Sequence, residues 1–341
     1  MDILSRNHGI DLLRIISCIA VIGIHVAPTY PIEGAASISD EVQVILMQSV
    51  FRIGLPIFFV LSGMFILNTK ENGAFCFYKK RLPAIIIPFL IYSFIHYMIT
   101  RGVEFNINYI KSYTHLIISS QTALSVHFWF VYVIIGIYII SPLIKFLMDK
   151  IPNKYSLHAI IIIISLSVYN TYSSEASWKL GVPLDIIPIP HIDFWLSYFI
   201  IGGFIQRINH NDFNFKLIFP CLFLLHVLSV YLYKYQLIFN LYPADKGISI
   251  FMITTAICLY FKDLEIKSGI NIITKTSQYT YGVYLIHIAV MDVVIKNIGN
   301  NSLSSAPVIQ SAFVIVIIFS ISLLISFIVD NLITKRILRS I

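Results

Sequence analysis

Charged residues are scarce in this 341-residue chain, because aspartate, glutamate, lysine and arginine together make up only 12% of it. Soluble globular domains carry about 25% charged residues, so this composition excludes an ordinary water-soluble protein. Hydrophobic residues make up 57% of the chain, and its mean hydropathy is +0.83. At this hydropathy, the chain length predicts several membrane spans rather than two soluble domains.

Cysteine is also rare, with four widely separated residues: Cys18, Cys76, Cys221 and Cys258. Their spacing excludes a disulfide framework or a cysteine metal site, and we predict no metal cofactor. Three of them lie in hydrophobic segments, where packing is the expected role. The first hydrophobic run, Ile10–Ala27, lacks a small-residue cleavage site, so we expect it to remain a membrane span and not to be removed as a signal peptide.

What the chain has instead is ten hydrophobic segments, most of them long enough to span about 30 Å of hydrocarbon. Because backbone groups cannot hydrogen-bond to lipid, these segments are predicted to be α-helices. The predicted fold class is therefore all-α, a polytopic membrane bundle of about ten transmembrane helices. The segments are Ile10–Ala27, Val42–Leu67, Leu82–Ile99, His127–Leu147, Leu157–Tyr172, Phe194–Ile208, Leu217–Tyr233, Ile248–Phe261, Tyr279–Ile295 and Val308–Val329.

Lysine and arginine residues are unevenly distributed between the predicted loops. With the N-terminus inside, the cytoplasmic side carries 16 of the 24 and the outer side carries six, while Arg14 and Arg52 lie within spans. This bias follows the positive-inside rule and predicts that both termini are cytoplasmic. The net charge of +7 therefore reflects membrane topology, and we reject a nucleic-acid partner.

The longest gaps between segments, Thr100–Val126 and Ser173–Asp193, are interpreted as outer loops. We therefore expect a single membrane domain over residues 1–341, with no appended soluble domain. No internal repeat is found, which argues against a transporter built from duplicated halves.

The first segment contains two polar residues, Arg14 and His25, whose transfer into a membrane is energetically unfavourable. Ionisable side chains inside a membrane span are functional by default. Eleven residues at 100° each bring His25 to within about 20° of the Arg14 direction, about 16 Å further along the helix axis. Two alternatives remain open: Asp11 neutralises Arg14 near the interface, or His25 is a packing histidine near the outer end.

The second segment carries Arg52 in its outer half, at about the depth of His25. Arg52 needs an anionic partner or a water-filled cavity. Pro56 frees a backbone carbonyl and is predicted to kink the helix. The pair Ser62-Gly63 permits close helix approach, for which packing is a sufficient explanation.

The run Lys79-Lys80-Arg81 opens the third segment on the cytoplasmic side. It is either an ordinary positive-inside anchor or a site for phosphates, to which arginine offers forked donors.

Aromatic and histidine residues mark two further segments. The fourth begins with His127-Phe128-Trp129, where an aromatic belt and a sugar-binding surface are equally good explanations. In the ninth, Tyr281, Tyr284 and His287 share nearly one helix face, either as a buried polar seam or as part of a site.

These motifs, taken in order, resemble the acyltransferase-3 family of integral-membrane acyltransferases. No single motif is decisive, but five in order on ten segments are specific. They are Arg14 with His25, Phe58-Phe59-Val60-Leu61-Ser62-Gly63, Arg81 with Pro88, Trp129-Phe130, and Tyr281-Gly282-Val283-Tyr284-Leu285-Ile286-His287.

The resemblance implies an enzyme that moves an acyl group, usually acetyl from acetyl-coenzyme A, to an extracytoplasmic or lipid-linked glycan. We expect the acceptor to be O-antigen, enterobacterial common antigen or capsule, and the location to be the bacterial inner membrane. Membrane lipid and the polysaccharide-assembly machinery are expected neighbours. A transporter or flippase of an acyl group or lipid-linked saccharide is the alternative, and a structural subunit of a polysaccharide-assembly complex is a weaker one.

The same resemblance, together with the segment analysis, suggests a role for each candidate residue. The catalytic candidates are His25 and Arg52. The candidates that bind acetyl-coenzyme A are Arg14, Arg81 and Tyr281. The candidates that bind the acceptor are His127, Trp129, Tyr284 and His287.

Overall fold

The computed structural model describes residues 6–27, 38–70, 73–183, 189, 191–209, 213–234, 244–298 and 307–340. Within these ranges the regular secondary structure is helical and no strand occurs. This confirms the predicted all-α fold class, and it agrees with the rule that a lipid-embedded backbone must satisfy its own hydrogen bonds.

Fourteen α-helices are assigned within the described ranges. They are α1 (His8–Val26), α2 (Ile38–Phe51), α3 (Gly54–Ile66), α4 (Ala74–Arg101), α5 (Ile107–Ser119), α6 (Trp129–Met148), α7 (Ser156–Leu180), α8 (Phe194–Ile205), α9 (Phe215–Lys234), α10 (Ile248–Lys262), α11 (Ile270–Ser277), α12 (Thr280–Ile298), α13 (Pro307–Val329) and α14 (Lys335–Arg339). Short 3₁₀ turns precede α6, α7 and α10, and a π-helical turn links α13 to α14.

Each of the ten predicted hydrophobic segments is helical, with the second divided between α2 and α3, but not every helix is long enough to cross a membrane. By length and composition, seven helical segments of the described chain qualify, or eight if the pair α11 and α12, bent by 65°, is one span. Two shorter apolar helices, α8 and α10, correspond to the remaining segments. The chain is a multi-pass membrane protein, and the count of ten spans with both termini inside stays a prediction.

Two helices extend beyond what the hydropathy pattern indicates. The predicted outer loop Thr100–Val126 contains α5, and α7 continues to Leu180, into the second predicted loop. Neither stretch is a long apolar run, so hydropathy alone does not reveal these helices.

The helices are grouped into two compact units, each built from two separate stretches of chain. Unit 1 comprises residues 1–69 and 143–274, and unit 2 comprises residues 70–142 and 275–341. That they form one functional domain stays a prediction.

In unit 1, α3 and α8 cross in close contact because glycines face each other's backbones. A Cβ added to Gly63 would overlap the Phe199 carbonyl oxygen, and one added to Gly202 would lie 2.9 Å from the backbone nitrogen of Met64. Only glycine permits this separation, so the predicted close approach at Ser62-Gly63 is confirmed.

Large apolar side chains cover the outer surfaces of several helices. Leu224 on α9 is 67% exposed, and Phe313 on α13 is 65% exposed. In a membrane these side chains contact lipid tails, so their exposure agrees with the hydropathy of the helices that carry them.

Candidate active site

Helix α1 carries Arg14 and His25 without interruption. Asn7 caps its N-terminus, where the side-chain oxygen accepts a hydrogen bond from the backbone N–H of Ile10 at 3.0 Å. The helix then runs to Val26. The predicted spacing between Arg14 and His25 therefore holds, with a rise of about 16 Å along one helix.

The Arg14 end of α1 is a compact charged cluster. Arg14 Nη1 lies 3.3 Å from Asp11 Oδ1, and the guanidinium lies 4.4 Å from the centre of the Phe65 ring. Asp11 is nearly fully buried and is shared with Arg6, whose Nε lies 2.5 Å from Oδ2. The expected pairing of Asp11 with Arg14 is present, but two guanidinium groups around one carboxylate leave a net positive charge.

Arg14 retains access to a ligand in this arrangement. Its side chain is 31% exposed, while the Asp11 side chain is only 3% exposed. The Phe65 ring orients the guanidinium plane by a cation–π contact. An anion that approaches this end of α1 would therefore meet guanidinium groups before it meets the carboxylate.

Arg52 lies at a break between α2 and α3. The helix stops at Phe51 and resumes at Gly54. Pro56 has no backbone N–H to donate to the Arg52 carbonyl, so that link of the helical ladder is missing. The predicted kink is thus an interruption of the helix at Arg52 and Ile53. Pro56 itself lies in the first turn of α3, where proline is tolerated.

The glycines of α1 and α3 show the level at which Arg52 lies. A Cβ added to Gly23 would lie 2.5 Å from the Phe51 ring, and one added to Gly54 would lie 2.8 Å from the Ser17 carbonyl oxygen. Helices α2 and α3 therefore run antiparallel to α1. Phe51 packs against Gly23, which is two residues before His25 in α1. Arg52 and His25 are therefore at the same end of this helix pair.

Asp245 supplies the anionic partner that Arg52 requires. Arg52 Nη1 lies 4.0 Å from Asp245 Oδ1, and the two side chains are 28% and 22% exposed. Burial raises the pKa of Asp245 to about 6, although Arg52 and Lys246 both oppose this shift. The sequence analysis missed Asp245, and the only available signal was the need of Arg52 for a carboxylate.

His226 is a second residue that the sequence analysis missed. It is completely buried on α9, with Nδ1 at 3.0 Å from the Ser249 hydroxyl and Nε2 at 3.0 Å from the Ser49 carbonyl. Because a carbonyl only accepts, Nε2 carries a hydrogen and donates it to Ser49. This bond anchors α2 three residues before Arg52, so His226 positions the break.

In unit 2, three of the predicted acceptor-binding residues come together. The Tyr284 hydroxyl donates to the His127 carbonyl at 2.5 Å, and His287 Nδ1 donates to the Tyr284 carbonyl at 2.6 Å. The rings of His127 and His287 lie 4.8 Å apart between centroids. His127 Nε2 donates to the Leu285 carbonyl at 3.2 Å, and Ser125 lies 2.9 Å from Nδ1.

A third histidine, His96 on α4, completes this group. Its ring lies 5.9 Å from that of His127 and 5.3 Å from that of Phe128, and it is 2% exposed. Its Nδ1 has no hydrogen-bond partner in the described part of the chain. The sequence analysis missed His96, although a histidine within an apolar span is itself a signal.

The remaining predicted residues of unit 2 are more dispersed. The Tyr281 hydroxyl donates to the Ile85 carbonyl at 3.1 Å, which joins α12 to α4. Trp129, at the start of α6, is half-buried, and so is Arg81 on α4. The Tyr281 hydroxyl is thus bonded to α4 and not to one of the histidines.

A cavity of about 310 Å³ lies beside the first turns of α4. It is lined by Cys76, Lys79, Lys80, Pro83 and Leu338. Two lysines with no carboxylate among the lining residues make it suited to an anion. The described residues contain no group of three or more histidine, cysteine, aspartate or glutamate side chains that could hold a metal ion.

Comparison with known proteins connects this arrangement to a family. The sequence model of the acyltransferase-3 family, described as an acyltransferase domain, matches residues 7–330. An amino-acid racemase from Enterococcus faecalis is 40% identical over 63 residues. That stretch is 18% of this chain and only 8% of the racemase, so the similarity covers a short part of both proteins. No solved structure matches the chain significantly.

Proposed function

Because this chain belongs to the acyltransferase-3 family of integral-membrane acyltransferases, we propose that it transfers acetyl groups to a glycan. The donor is cytosolic acetyl-coenzyme A, and the acceptor is a hydroxyl of an extracytoplasmic or lipid-linked sugar, as in O-antigen, enterobacterial common antigen or capsule. The protein works in the bacterial inner membrane, beside the polysaccharide-assembly machinery.

The observation that carries this proposal is the uninterrupted α1, with Arg14 and His25 about 16 Å apart along it. That rise is comparable to the length of the pantetheine arm of coenzyme A. With the phosphates at the exposed guanidinium of Arg14, the thioester reaches the level of His25. One helix thus supports both ends of a donor that crosses much of the membrane.

His25 acts on the acceptor in one of two ways. As a general base it removes the proton of the sugar hydroxyl, whose oxygen attacks the thioester carbonyl, and coenzyme A leaves as the thiol after taking up a proton. As a nucleophile, the neutral imidazole attacks the thioester carbonyl, and coenzyme A leaves as the thiol after taking up the imidazole proton. The acetyl-imidazole then passes its acetyl group to the sugar oxygen, whose proton returns to His25.

Arg52 stabilises the oxyanion that forms at the thioester carbonyl. Phe51 packs on Gly23 of α1, so the break that carries Arg52 lies toward the His25 end of that helix, and Arg52 Nη1 lies 4.0 Å from Asp245 Oδ1.

Unit 2 carries further candidate binding groups. Its lysine-lined cavity near the start of α4, with Arg81 in the same helical turn, suits an anionic phosphate group. His127, Tyr284 and His287, the candidates for acceptor binding, form a buried polar and aromatic group, and Trp129 lies two residues after His127 in the chain.

The decisive experiment replaces His25 and measures glycan acetylation in cells. His158, an exposed histidine on α7, offers a matched control. With equal expression, His25→Ala should lower acetylation by about 10²-fold or more, while His158→Ala should leave it unchanged. Mass spectrometry should show a loss of about 42 mass units per acetylated repeat, the mass of an acetyl group that replaces hydrogen on the acceptor. Full acetylation in the His25→Ala strain would contradict the proposal.

A single-turnover reaction separates the two roles of His25. Purified protein is mixed with acetyl-coenzyme A in the absence of acceptor, and release of coenzyme A is followed. A burst of release equal to the protein concentration supports the acetyl-imidazole. The absence of a burst supports direct transfer with His25 as the base.

A transporter or flippase remains the second candidate because two helical segments are discontinuous. The break at Arg52 and the 65° bend between α11 and α12 resemble the broken helices that line transport sites. Reconstituted vesicles distinguish the functions. Labelled acetyl that becomes covalently bound to a glycan indicates transfer, whereas movement of the intact substrate indicates transport.

A further inference from the structure

A basic pocket of about 550 Å³ lies in unit 2, between the end of α4 and α5, and it contains none of the residues assigned above. It is lined by Tyr97, Arg101, Lys111, Ser112, His115 and Leu116. No carboxylate is among these residues. In the described part of the chain, Arg101, Lys111 and His115 make no ion pair.

The pocket is built by a sharp reversal of the chain after α4. Gly102 follows α4 with φ at +79°, a conformation that favours glycine, and the chain then turns back into α5. The Tyr109 hydroxyl donates to the Gly102 carbonyl at 2.5 Å, and its ring lies 4.6 Å from that of Tyr97. The Tyr113 hydroxyl donates to the Leu90 carbonyl at 3.1 Å. These tyrosines hold α5 against α4.

The face of α5 that does not contain these tyrosines presents the polar groups. Lys111 and His115 are four residues apart, so they lie one above the other on the helix, with Ser112 beside them. Arg101 faces them from the last turn of α4. Two fixed cations, an imidazole and a hydroxyl therefore converge on one space.

The nearest carboxylate along the chain does not neutralise the pocket. Glu104 lies in the connection between α4 and α5, where its Oε2 accepts a hydrogen bond from Asn106 Nδ2 at 2.9 Å. It does not line the pocket. Arg101 and Lys111 thus face each other without a counter-charge, which an anionic ligand would supply.

The position of the pocket points to a lipid ligand. Arg101 is the last residue of a candidate membrane span, Ala74–Arg101. On α5, Ile107 and Ile118 are exposed by 66% and 75% and lie on the helix face that carries Lys111. Exposed isoleucines beside a lysine are typical of a helix in the membrane interface, at the level of lipid headgroups. Arginine and lysine are the residues that bind phosphate there.

We propose that this pocket binds the phosphate or diphosphate headgroup of a membrane lipid. Arg101 offers forked donors to two phosphate oxygens, Lys111 adds a point charge, and the Ser112 hydroxyl donates to a further oxygen. The apolar side chains of α5 lie along the lipid tails. If the proposed function holds, a sugar acceptor linked to a lipid diphosphate would be anchored here. That statement rests on the proposed function, whereas the phosphate site itself does not.

The test measures binding to the purified full-length chain in phosphatidylcholine nanodiscs. The ligands are phosphatidylglycerol, titrated into the discs, and inorganic pyrophosphate, added in solution. The pocket variant is Arg101→Gln with Lys111→Gln. The control is Lys216→Gln with Lys267→Gln, which removes the same charge from exposed positions outside the pocket.

The pocket variant should bind phosphatidylglycerol about tenfold more weakly or worse, because it loses charge-assisted hydrogen bonds. The control should bind as the unmodified chain does. Lys111→Arg keeps the charge and should keep the affinity, which guards against a folding defect in the double variant. Equal binding of both ligands by the pocket variant and the unmodified chain would overturn the proposal.

The two ligands also identify the source of the phosphate. Binding of phosphatidylglycerol that pyrophosphate displaces assigns the pocket to a lipid headgroup. Binding of pyrophosphate with no preference for phosphatidylglycerol over phosphatidylcholine overturns the lipid assignment in favour of a soluble phosphate. An unaffected pocket variant together with an inactive His25→Ala variant would reject this inference while the proposed acyl transfer stands.

Discussion

Gly63→Ala should destabilise the protein because Gly63 lies where α3 and α8 cross. Its new methyl carbon would overlap the Phe199 carbonyl oxygen and lie 2.7 Å from the carbonyl carbon, 0.7 Å short of ordinary contact at 3.4 Å. Both obstructing atoms belong to the backbone, so the helices themselves must separate. Overpacking of this kind costs about 1–3 kcal/mol, which outweighs the gain of about 1 kcal/mol from replacing a helical glycine by alanine.

Gly136→Ala is the matched control, since Gly136 lies within α6 and nothing comes within 4 Å of an added Cβ. There only the helix-propensity gain remains, so this variant should be as stable as the unmodified chain or slightly more stable. The assay is the midpoint of thermal denaturation of each purified variant in the same detergent. Equal shifts of both variants in one direction would refute the reasoning, because only Gly63→Ala should lower the midpoint.

Two further predictions concern Asp245 and Tyr284. The pKa of Asp245 is raised from its ordinary value of 3.8 to about 6, so the folded state holds this proton more tightly than the unfolded state does. The contribution of this proton to stability is present below about pH 4 and is lost as the pH rises to about 6. Asp245→Asn should therefore flatten the pH dependence of the denaturation midpoint between about pH 4 and pH 6. An unchanged pH dependence in this variant would contradict the raised pKa of Asp245. Tyr284→Phe leaves the buried His127 carbonyl without its donor and should cost about 1–3 kcal/mol. Tyr132→Phe, which loses a half-buried bond to Ile117, should cost less in the same denaturation assay, and the reverse order would count against this account.

The sequence was sufficient to predict α1 and the relation between Arg14 and His25. The helix is a single apolar run with polar residues at defined intervals, so its periodicity predicts which face they share. The pairing of Arg14 with Asp11 follows from the same local geometry. Membrane burial also makes helix the only reasonable conformation, which is why the fold class could be predicted.

The partners of Asp245 and His96 could not be predicted because they are distant in sequence. Asp245 is 193 positions from Arg52, and His96 meets His127 only when two helices pack. Hydropathy also fails for α5, since an interfacial helix has alternating exposure and no long apolar run. Local patterns predict elements and faces, whereas charge partners depend on tertiary packing.

The interleaved course of the chain sets the order in which its parts can be completed during synthesis. Residues 1–69 carry Arg14, His25 and Arg52, but the unit to which they belong also needs residues 143–274. The stretch 70–142 likewise waits for residues 275–341. A nascent chain of 142 residues therefore contains the first stretch of both units and all of neither. Arg52 must therefore remain in the membrane without Asp245, which is added only after more than a hundred further residues have been translated.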